Sequence, residues 1–483
     1  MRRICKCVFV LSAFVCALSG AAQEPRQNGD ASAPLLPLHW RVPVLNNPGD
    51  ERIAQELSEQ FAKEKVPAIP QFRAYAAGDF ALMRTPERAM GVDFRAGKRR
   101  WEYPWFNSPF ETNAASSIRP SSPKADELRQ RLWDDATFAL LTVSGDSLFV
   151  LDKLEPLAID SRAERTVIGI GGRRVVSDTP PSNELVALSI PTHGKIRWIV
   201  GGETGGDDPA LADYFFLTSG TMHDGRLYVV GERENKLQLL AIDPETGRLD
   251  WSVALMTFAD DDPLRWNPLR RLAGVAPVAV GKRLVCPTVH GRIVAVDIDD
   301  RKLAWSKSYE ITPVPAVARF RRIAADRPVP QHGEHWLDNA VLPAGDFAIV
   351  TPIDSSRLFC LDAAAGKLQW ELERGDRLFA AVHNDVCLLV GQHSVSARTA
   401  RGGMPLWEDR RIEYTRRGSA VSGRGAFDGH DYLLPADKEL LALDLQSGKV
   451  SVVARSEFPL GNLTIHGDWL LSHGADSLLK FAR

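Results

Sequence analysis

Two histidines and a glutamate lie within four residues of one another, the densest group of chemically capable side chains in this sequence. The segment reads His332-Gly-Glu-His335 and is followed by Trp336. Zinc sites use imidazole and carboxylate ligands, but histidines three residues apart without flanking helical sequence do not match the usual spacing. We therefore interpret His332 and His335 as loop residues and predict no metal site.

Other patterns that mark catalytic sites are absent from the sequence. The glycine-rich segment Gly169-Ile-Gly171-Gly172 runs into two arginines and lacks the Gly-Lys-Ser/Thr ending of a phosphate-binding loop. There is no Gly-x-Ser-x-Gly motif, which would place a nucleophilic serine on a sharp turn. The sequence therefore predicts no catalytic residue and no enzyme.

Two long polar insertions, residues 256–274 and 307–340, combine arginine with tryptophan, as protein interfaces often do. The sequence contains a repeated unit of several strands, described below. Each insertion lies between the last strand of one unit and the first strand of the next, so both are expected on one face of the fold. The predicted partner-binding residues are Arg265, Trp266, Arg270, Arg271, Arg319, Arg321, Arg322, His332, His335 and Trp336. The alternative is that these loops fold back on the protein, with Trp266 and Trp336 as local anchors.

The elements that must position these insertions come from a repeated pattern, Ala-x-Asp-x-x-x-Gly-x-x-x-Trp. It is complete at Ala241, Asp243, Gly247 and Trp251 and recurs in degraded copies, the last with Val452 in the Trp position. The Trp positions, including one near the N-terminus, are Trp40, Trp101, Trp198, Trp251, Trp305, Trp370 and Trp407. We predict that these indoles are structural and pack across the turn of the neighbouring copy.

Each copy predicts a β-hairpin. In the complete copy, two apolar runs at residues 237–243 and 248–253 flank a polar turn in which Gly247 can adopt a positive φ. Another strand precedes each hairpin, and the Trp positions at 198, 251 and 305 are 53 and 54 residues apart. Four-stranded antiparallel units at a fixed period indicate the blades of an all-β propeller.

The chain ends predict how the ring closes. The C-terminal residues 463–482 supply three strands, and residues 37–42 near the N-terminus read as the missing outer strand, with Trp40 in the motif position. Pairing them removes two sheet edges that would invite aggregation. The predicted fold is an eight-bladed β-propeller of four-stranded antiparallel blades, closed by an N-terminal strand, with seven blades as the fallback.

The second blade is predicted to contain a long insertion. Its first strands are expected at residues 137–142 and 147–151, and its hairpin resumes at Glu184. Helices are predicted at residues 51–65 and 125–133, where apolar residues recur on one face. Both helices are expected to cap the ring.

The N-terminus predicts export. Residues 1–22 combine Arg2 and Arg3 with a short apolar run and small residues, as a secretory signal peptide does. The predicted domains are the signal peptide at 1–22, an N-terminal strand and capping helix at 23–66, and the propeller at 67–483. No other stretch approaches the ~20 apolar residues of a transmembrane helix, so the protein is expected in the periplasm or at the cell surface.

Composition limits the classes of partner. The formal net charge is −2, which argues against nucleic-acid binding. Three cysteines lie beyond the predicted signal peptide, Cys286, Cys360 and Cys387, each among apolar strand residues. We predict that they are buried free thiols.

The form Ala-x-Asp-x-x-Thr-Gly-x-x-x-Trp at residues 241–251 resembles the repeat of bacterial pyrroloquinoline-quinone-like (PQQ-like) propellers. That superfamily includes quinoprotein alcohol dehydrogenases and the non-enzymatic propeller of the outer-membrane protein assembly machinery. For a dehydrogenase, the resemblance implies a Trp floor, a disulfide between adjacent cysteines, a calcium ion and an aspartate base. The sequence contains no Cys-Cys pair and no Cys-x-x-Cys-His. No cofactor is therefore expected, and PQQ with calcium only if the chain is a dehydrogenase.

Three functional hypotheses follow. The favoured one is an exported, non-catalytic and monomeric propeller that binds a protein partner or another envelope component, similar to the outer-membrane assembly propeller. The second is a PQQ-dependent dehydrogenase. The third is a glycan or small-ligand sensor that uses the central channel.

Overall fold

The computed structural model describes residues 33–104, 123–157, 181–259, 262–312, 335–407, 412–414 and 419–483, together with a two-stranded ribbon of Val167–Ile168 and Arg174–Val175. The predicted signal peptide, residues 1–22, lies outside the described residues.

The described chain forms eight antiparallel sheets with four principal strands each, which confirms the predicted eight-bladed propeller. The strands of each blade are given from the axis outward. Blade 1 consists of Tyr75–Ala77, Phe80–Arg84, Ala89–Asp93 and Arg99–Tyr103, and blade 2 of Leu141–Ser144, Ser147–Asp152, Glu184–Ser189 and Lys195–Gly201. Blade 3 consists of Thr221–His223, Arg226–Arg233, Lys236–Ile242 and Leu249–Thr257, and blade 4 of Val278–Val280, Arg283–Pro287, Arg292–Asp297 and Lys302–Ser308. Blade 5 consists of Ala340–Ala344, Phe347–Thr351, Arg357–Asp362 and Leu368–Glu373, and blade 6 of Arg377–His383, Val386–Gly391, Ser394–Thr399 and Ile412–Glu413. Blade 7 consists of Ala426–Phe427, Asp431–Ala436, Glu439–Asp444 and Val450–Arg455, and blade 8 of Asn462–His466, Trp469–His473, Ser477–Ala482 and Leu38–Pro43.

Burial explains the strand patterns. The second and third strands of a blade are covered by neighbouring blades on both faces, so they are continuously apolar, as in Phe347–Thr351. The outer strands face solvent on one side, and in Leu368–Glu373 half-buried residues alternate with exposed ones. The apolar runs and the alternating runs of the sequence therefore mark different positions within one blade.

The ring closes as the sequence predicts. The N-terminal strand Leu38–Pro43 pairs antiparallel with the C-terminal strand Ser477–Ala482 and becomes the outer strand of blade 8. Trp40 in this strand then reaches blade 1, where its Nε1 donates to the carbonyl oxygen of Phe94 at 3.0 Å.

The repeated indoles lie across the turns of the next blade. At five junctions, a Cβ atom built on the turn glycine would stand 2.8 Å or less from the indole. The five pairs are Trp40 on Gly97, Trp101 on Gly194, Trp198 on Gly247, Trp305 on Gly366 and Trp370 on Gly403. Trp407 donates instead to the carbonyl oxygen of Leu445 in the next turn, at 3.3 Å.

Helices and helical turns lie in the connections between strands. The helices are α1 at Pro48–Glu64, α2 at Pro123–Arg129, which continues as a π-helical turn at Gln130–Asp134, α3 at Ala136–Ala139 and α4 at Pro268–Leu272; 3₁₀ turns lie at Pro209–Leu211 and Leu264–Trp266. Two further two-residue strands, Gly205–Gly206 and Phe215–Phe216, extend blades 2 and 3. Within the described ranges, no helix has the length and apolar character that crossing a membrane requires.

The inner strand of blade 2 differs from the prediction. Residues 137–140 were expected to be strand, but α3 occupies Ala136–Ala139 and the strand begins at Leu141. The carboxylate of Asp135 accepts a hydrogen bond from the Phe138 backbone N–H at 2.8 Å, so it caps a helical turn that the apolar composition alone does not indicate.

Candidate functional site: the insertion face and the axial channel

The connections between blades leave the propeller on one face, which we call the insertion face. Each blade has four antiparallel strands, so the chain enters the inner strand and leaves the outer strand on the same side of the ring. The helix α4 and the segment before residue 340 both connect blades in this way.

Arg270 anchors the insertion that contains α4. Its side chain is fully buried, and its guanidinium lies 2.9 Å from Glu232 and 3.2 Å from Asp262. The same guanidinium stacks 3.8 Å from the centroid of the Phe258 ring. Burial raises the pKa of Glu232 to about 7, although the charge of Arg270 opposes this shift. Arg270 therefore cannot contact a partner, which corrects its place in the predicted partner-binding set.

Arg265 and Arg271 lie on the same insertion and are only partly buried. Arg271 Nη2 donates to the backbone oxygen of Glu155 at 3.3 Å, and its guanidinium lies 5.4 Å from the Phe215 ring. Trp266 ends the 3₁₀ turn Leu264–Trp266. Its side chain lies outside the described atoms, so its predicted role remains a prediction.

Trp336 anchors the second insertion. Its side chain is fully buried, and its Nε1 donates to the backbone oxygen of Arg357 at 3.2 Å. This position fits the alternative expectation of a local anchor and removes Trp336 from the partner-binding set. His335 is partly buried, and its Nδ1 donates to the Trp336 carbonyl oxygen at 2.6 Å. The remaining predicted residues, Arg319, Arg321, Arg322 and His332, lie outside the described residues.

A helical plug, formed by α2, the π-helical turn and α3, covers the axial channel on the insertion face. Gln71 binds this plug twice: its backbone N–H donates to the Leu132 oxygen at 2.8 Å, and its Nε2 donates to the Trp133 oxygen at 3.0 Å. On the blade 4 side, the Gly274 N–H donates to Thr137 Oγ1 at 3.0 Å. The predicted capping role is therefore correct for the second helix.

The helix α1 supports this plug from one side. Ile53, Leu57 and Phe61 form its buried face, and the Phe61 ring meets Trp133 edge to face with 5.2 Å between centroids. The side chain of Asn47 caps the first turn by accepting from the Asp50 N–H at 2.9 Å. The plug is thus held by packing on α1 and by hydrogen bonds to the segments that precede the inner strands of blades 1 and 4.

Beneath the plug lies a cavity of about 460 Å³ on the propeller axis. It borders the inner strands of blades 1, 4, 5, 6 and 7. Its polar and aromatic lining comprises Gln71, Arg73, Tyr75, Asp338, Asn339, Phe379, Arg424, Phe427 and Tyr432.

The charged side chains of this cavity form one cluster. Arg424 is enclosed and holds Asp338 through its Nε, which lies 2.9 Å from both carboxylate oxygens. Arg73 approaches the other side of the carboxylate, with its Nη2 3.7 Å from Asp338 Oδ2. Burial alone would raise the pKa of Asp338, but the two guanidiniums hold that pKa below its usual value.

Sequence reasoning named the central channel but none of these residues. Arg424 also donates to the carbonyl oxygen of Pro70 at 2.8 Å, and these two residues lie 354 positions apart in the chain. None of the cluster belongs to the Asp-to-Trp repeat motif, so no spacing in the sequence marks it.

Two features that the resemblance implies for a dehydrogenase are absent from the described residues. The three cysteines Cys286, Cys360 and Cys387 are separate, buried thiols, and no two cysteines are adjacent in the sequence. Among the residues that the structure describes, no group of three or more His, Cys, Asp or Glu side chains could hold a metal ion.

One family model matches part of this chain. Residues 329–461, which contain blades 5 to 7, match the family model described as outer membrane protein assembly factor BamB. This match confirms the predicted resemblance to PQQ-like propellers over that segment. The comparison with curated proteins gave no match.

Two solved structures resemble the chain over most of its length. The crystal structure of BamB from Moraxella catarrhalis is 14% identical and covers 86% of this chain and 96% of its own, with a TM-score of 0.46. The computationally designed Ika8 protein is 9% identical and covers 86% of this chain and 97% of its own, with a TM-score of 0.48.

Proposed function

We propose that this chain is an exported, non-catalytic scaffold of the cell envelope that binds a protein partner in outer-membrane protein assembly. The observation that carries this proposal is the match of residues 329–461 to the family of an outer membrane protein assembly factor. The scaffold acts in the periplasm or at the cell surface as a monomer.

The construction of the insertion face supports a binding role. Arg270 and Trp336 are fully buried, so each fixes the described residues around it to the body of the propeller. A segment that is already ordered loses less conformational entropy when a partner binds, so more of the contact energy contributes to affinity. These buried anchors therefore position the insertions without themselves contacting the partner.

Arg265 and Arg271 are the described residues that we assign to the partner contact. Both are partly buried and lie on the insertion that Arg270 anchors. Arginine is enriched among the residues that dominate interface energies. The partner surface should therefore offer carboxylates or backbone carbonyl oxygens to this insertion.

Capture from envelope extracts tests the contact. The purified chain carrying Arg271→Ala should bind its partner about tenfold more weakly than the wild type, because an interface arginine of this kind contributes more than ~1 kcal/mol. The matched control is Arg248→Ala, an exposed arginine in a hairpin turn on the opposite face of the ring. Mass spectrometry of the captured proteins identifies the partner. If both variants retain the same proteins in the same amounts, the insertion that carries Arg271 is not the binding surface.

Export is tested separately. The full chain should be found in the periplasm or at the cell surface and should lack residues 1–22, and a chain without those residues should remain in the cytoplasm. Cell fractionation followed by N-terminal sequencing measures both outcomes. Cytoplasmic accumulation of the full chain would remove the envelope from the proposal.

A further inference from the structure

We propose that the axial cavity beneath the plug binds a small organic anion, and that Arg73 holds its anionic group. Binding of a small molecule in this cavity is measured without the protein partner, so the proposal stands or falls independently of the scaffold function. The cavity volume of about 460 Å³ lies within the range of small-molecule sites.

The charges of the lining favour an anion. The charged residues that border the cavity are two arginines, Arg73 and Arg424, and one carboxylate, Asp338. Asp338 is neutralised by Arg424, whose side chain is only 3% exposed and also donates to Pro70 and Gln71. The positive charge that remains is that of Arg73.

The geometry of Arg73 leaves its guanidinium able to bind a ligand in the cavity. Its side chain is 47% exposed, and its distance of 3.7 Å from Asp338 is longer than a hydrogen bond. The carboxylate therefore attracts the guanidinium by its charge without using its N–H donors in a hydrogen bond. A carboxylate or phosphate group accepts two such hydrogen bonds in parallel and adds charge attraction, whereas an ammonium group has no acceptor and a neutral ligand has no charge to attract.

The walls favour an anion with an apolar body. Phe379 and Phe427 line the cavity together with several alanines, and the Phe427 ring is fixed by stacking on His383 with 4.8 Å between centroids. Asn339 also lines the cavity. Its Oδ1 accepts from the Ile353 N–H at 3.3 Å, whereas its Nδ2 has no hydrogen-bond partner among the described residues. A ligand acceptor that reached this wall would supply the hydrogen-bond partner that the amide lacks.

Three probes of one shape test the charge preference. Isothermal titration calorimetry with benzoate, benzyl alcohol and benzylammonium compares an anion, a neutral molecule and a cation on the same ring. We expect benzoate to bind at least tenfold more tightly than the other two. Inorganic phosphate, titrated in parallel, distinguishes a site that needs the apolar body from one that recognises the anionic group alone. Equal affinities for the three ring compounds, or no binding of benzoate and phosphate, would overturn the proposal.

A matched pair of arginine variants tests the assignment to Arg73. Arg73→Gln should weaken benzoate binding at least tenfold. The control is Arg41→Gln on the outer strand Leu38–Pro43. It removes an arginine of similar exposure, which pairs with Asp476, and should leave the affinity for benzoate unchanged. Arg73→Lys keeps the positive charge but loses the paired donors of the guanidinium, so its affinity for benzoate should lie between that of Arg73→Gln and that of the wild type. It also tests the assignment if Arg73→Gln does not fold. Crystals soaked in 4-bromobenzoate should show bromine in the axial cavity, and bromine at another position would contradict the site.

Discussion

A Cβ atom built on Gly247 would stand 2.8 Å from Cδ2 of Trp198, so the indole of one blade closes directly on the turn of the next. The indole is 3% exposed, and its Nε1 donates to the carbonyl oxygen of Pro244 at 2.9 Å. The turn therefore contacts the indole both by van der Waals packing and by a hydrogen bond. This relationship recurs around the ring and explains why the glycine and the tryptophan are repeated together.

Gly247→Ala should destabilise the protein more than Gly225→Ala. Both glycines are left-handed, with φ of 74° and 72°, so both substitutions carry a strain of about 1–2 kcal/mol. Only Gly247 faces an indole, because a Cβ on Gly225 would have no atom within 4 Å. The overpacking at Gly247 should add about 1–3 kcal/mol, measured by urea unfolding. Equal losses of unfolding free energy in the two variants would mean that the indole of Trp198 moves aside without energetic cost.

The Trp residues should differ in their contributions. Trp198→Ala should cost about 3–5 kcal/mol of unfolding free energy, as expected for a buried aromatic side chain. Trp251 is half-buried, and the next turn offers Arg301 in place of glycine, with its guanidinium 5.9 Å from the ring. Trp251→Ala should therefore cost less, about 1–3 kcal/mol. Thermal unfolding with equal losses for the two variants would contradict this ranking.

The ring was predictable because its signal is repeated. Copies of one hairpin at a fixed period define the blade, and Trp40 identifies residues 37–42 as the strand missing from the C-terminal blade. The structure confirms the pairing of that strand with Ser477–Ala482. Local apolar composition was less reliable, since residues 136–139 form a helix that the cap at Asp135 stabilises.

The functional residues were harder to predict because their environments come from distant segments. Arg270 and Arg271 are adjacent and identical in type, yet one is fully buried and the other is partly exposed. The difference depends on Glu232, which lies in the second strand of blade 3 and pairs with Arg270. A five-residue helix shows no periodicity from which the buried side could be read.

Arg270→Ala should destabilise the protein by about 3–5 kcal/mol, because it leaves the buried Glu232 without its countercharge. The adjacent Arg271→Ala should cost less than ~1 kcal/mol. The pKa of Glu232 is already raised to about 7, so the folded state takes up its proton more readily than the unfolded state. The charge of Arg270 opposes this shift, so Arg270→Ala should raise the pKa of Glu232 further, and part of the loss should be recovered as the pH falls from 9 toward 7, where the variant takes up the proton before the wild type does. Urea unfolding at both pH values measures this, and similar losses in the two variants would exclude a buried ion pair.

His473 should make the protein sensitive to acid. The side chain is fully buried and stacks on Phe72 with 5.7 Å between ring centroids, and burial lowers its pKa to about 4. The unfolded chain binds this proton near pH 6.5, whereas the folded protein does not bind it until about pH 4. The contribution is therefore complete above pH 6.5 and is lost as the pH falls toward 4, by about 3 kcal/mol in total.

The variant His473→Leu should show a shallower loss of unfolding free energy between pH 6.5 and 4 than the wild type, because it removes the proton-binding group from both states. Replacing His430, which is exposed, with glutamine should leave the wild-type slope unchanged. Other groups that titrate in this range, such as Glu232, are common to all three proteins, so the difference between the slopes isolates His473. An identical slope in His473→Leu would show that the imidazole is hydrated or protonated inside the fold, contrary to the packing around Phe72.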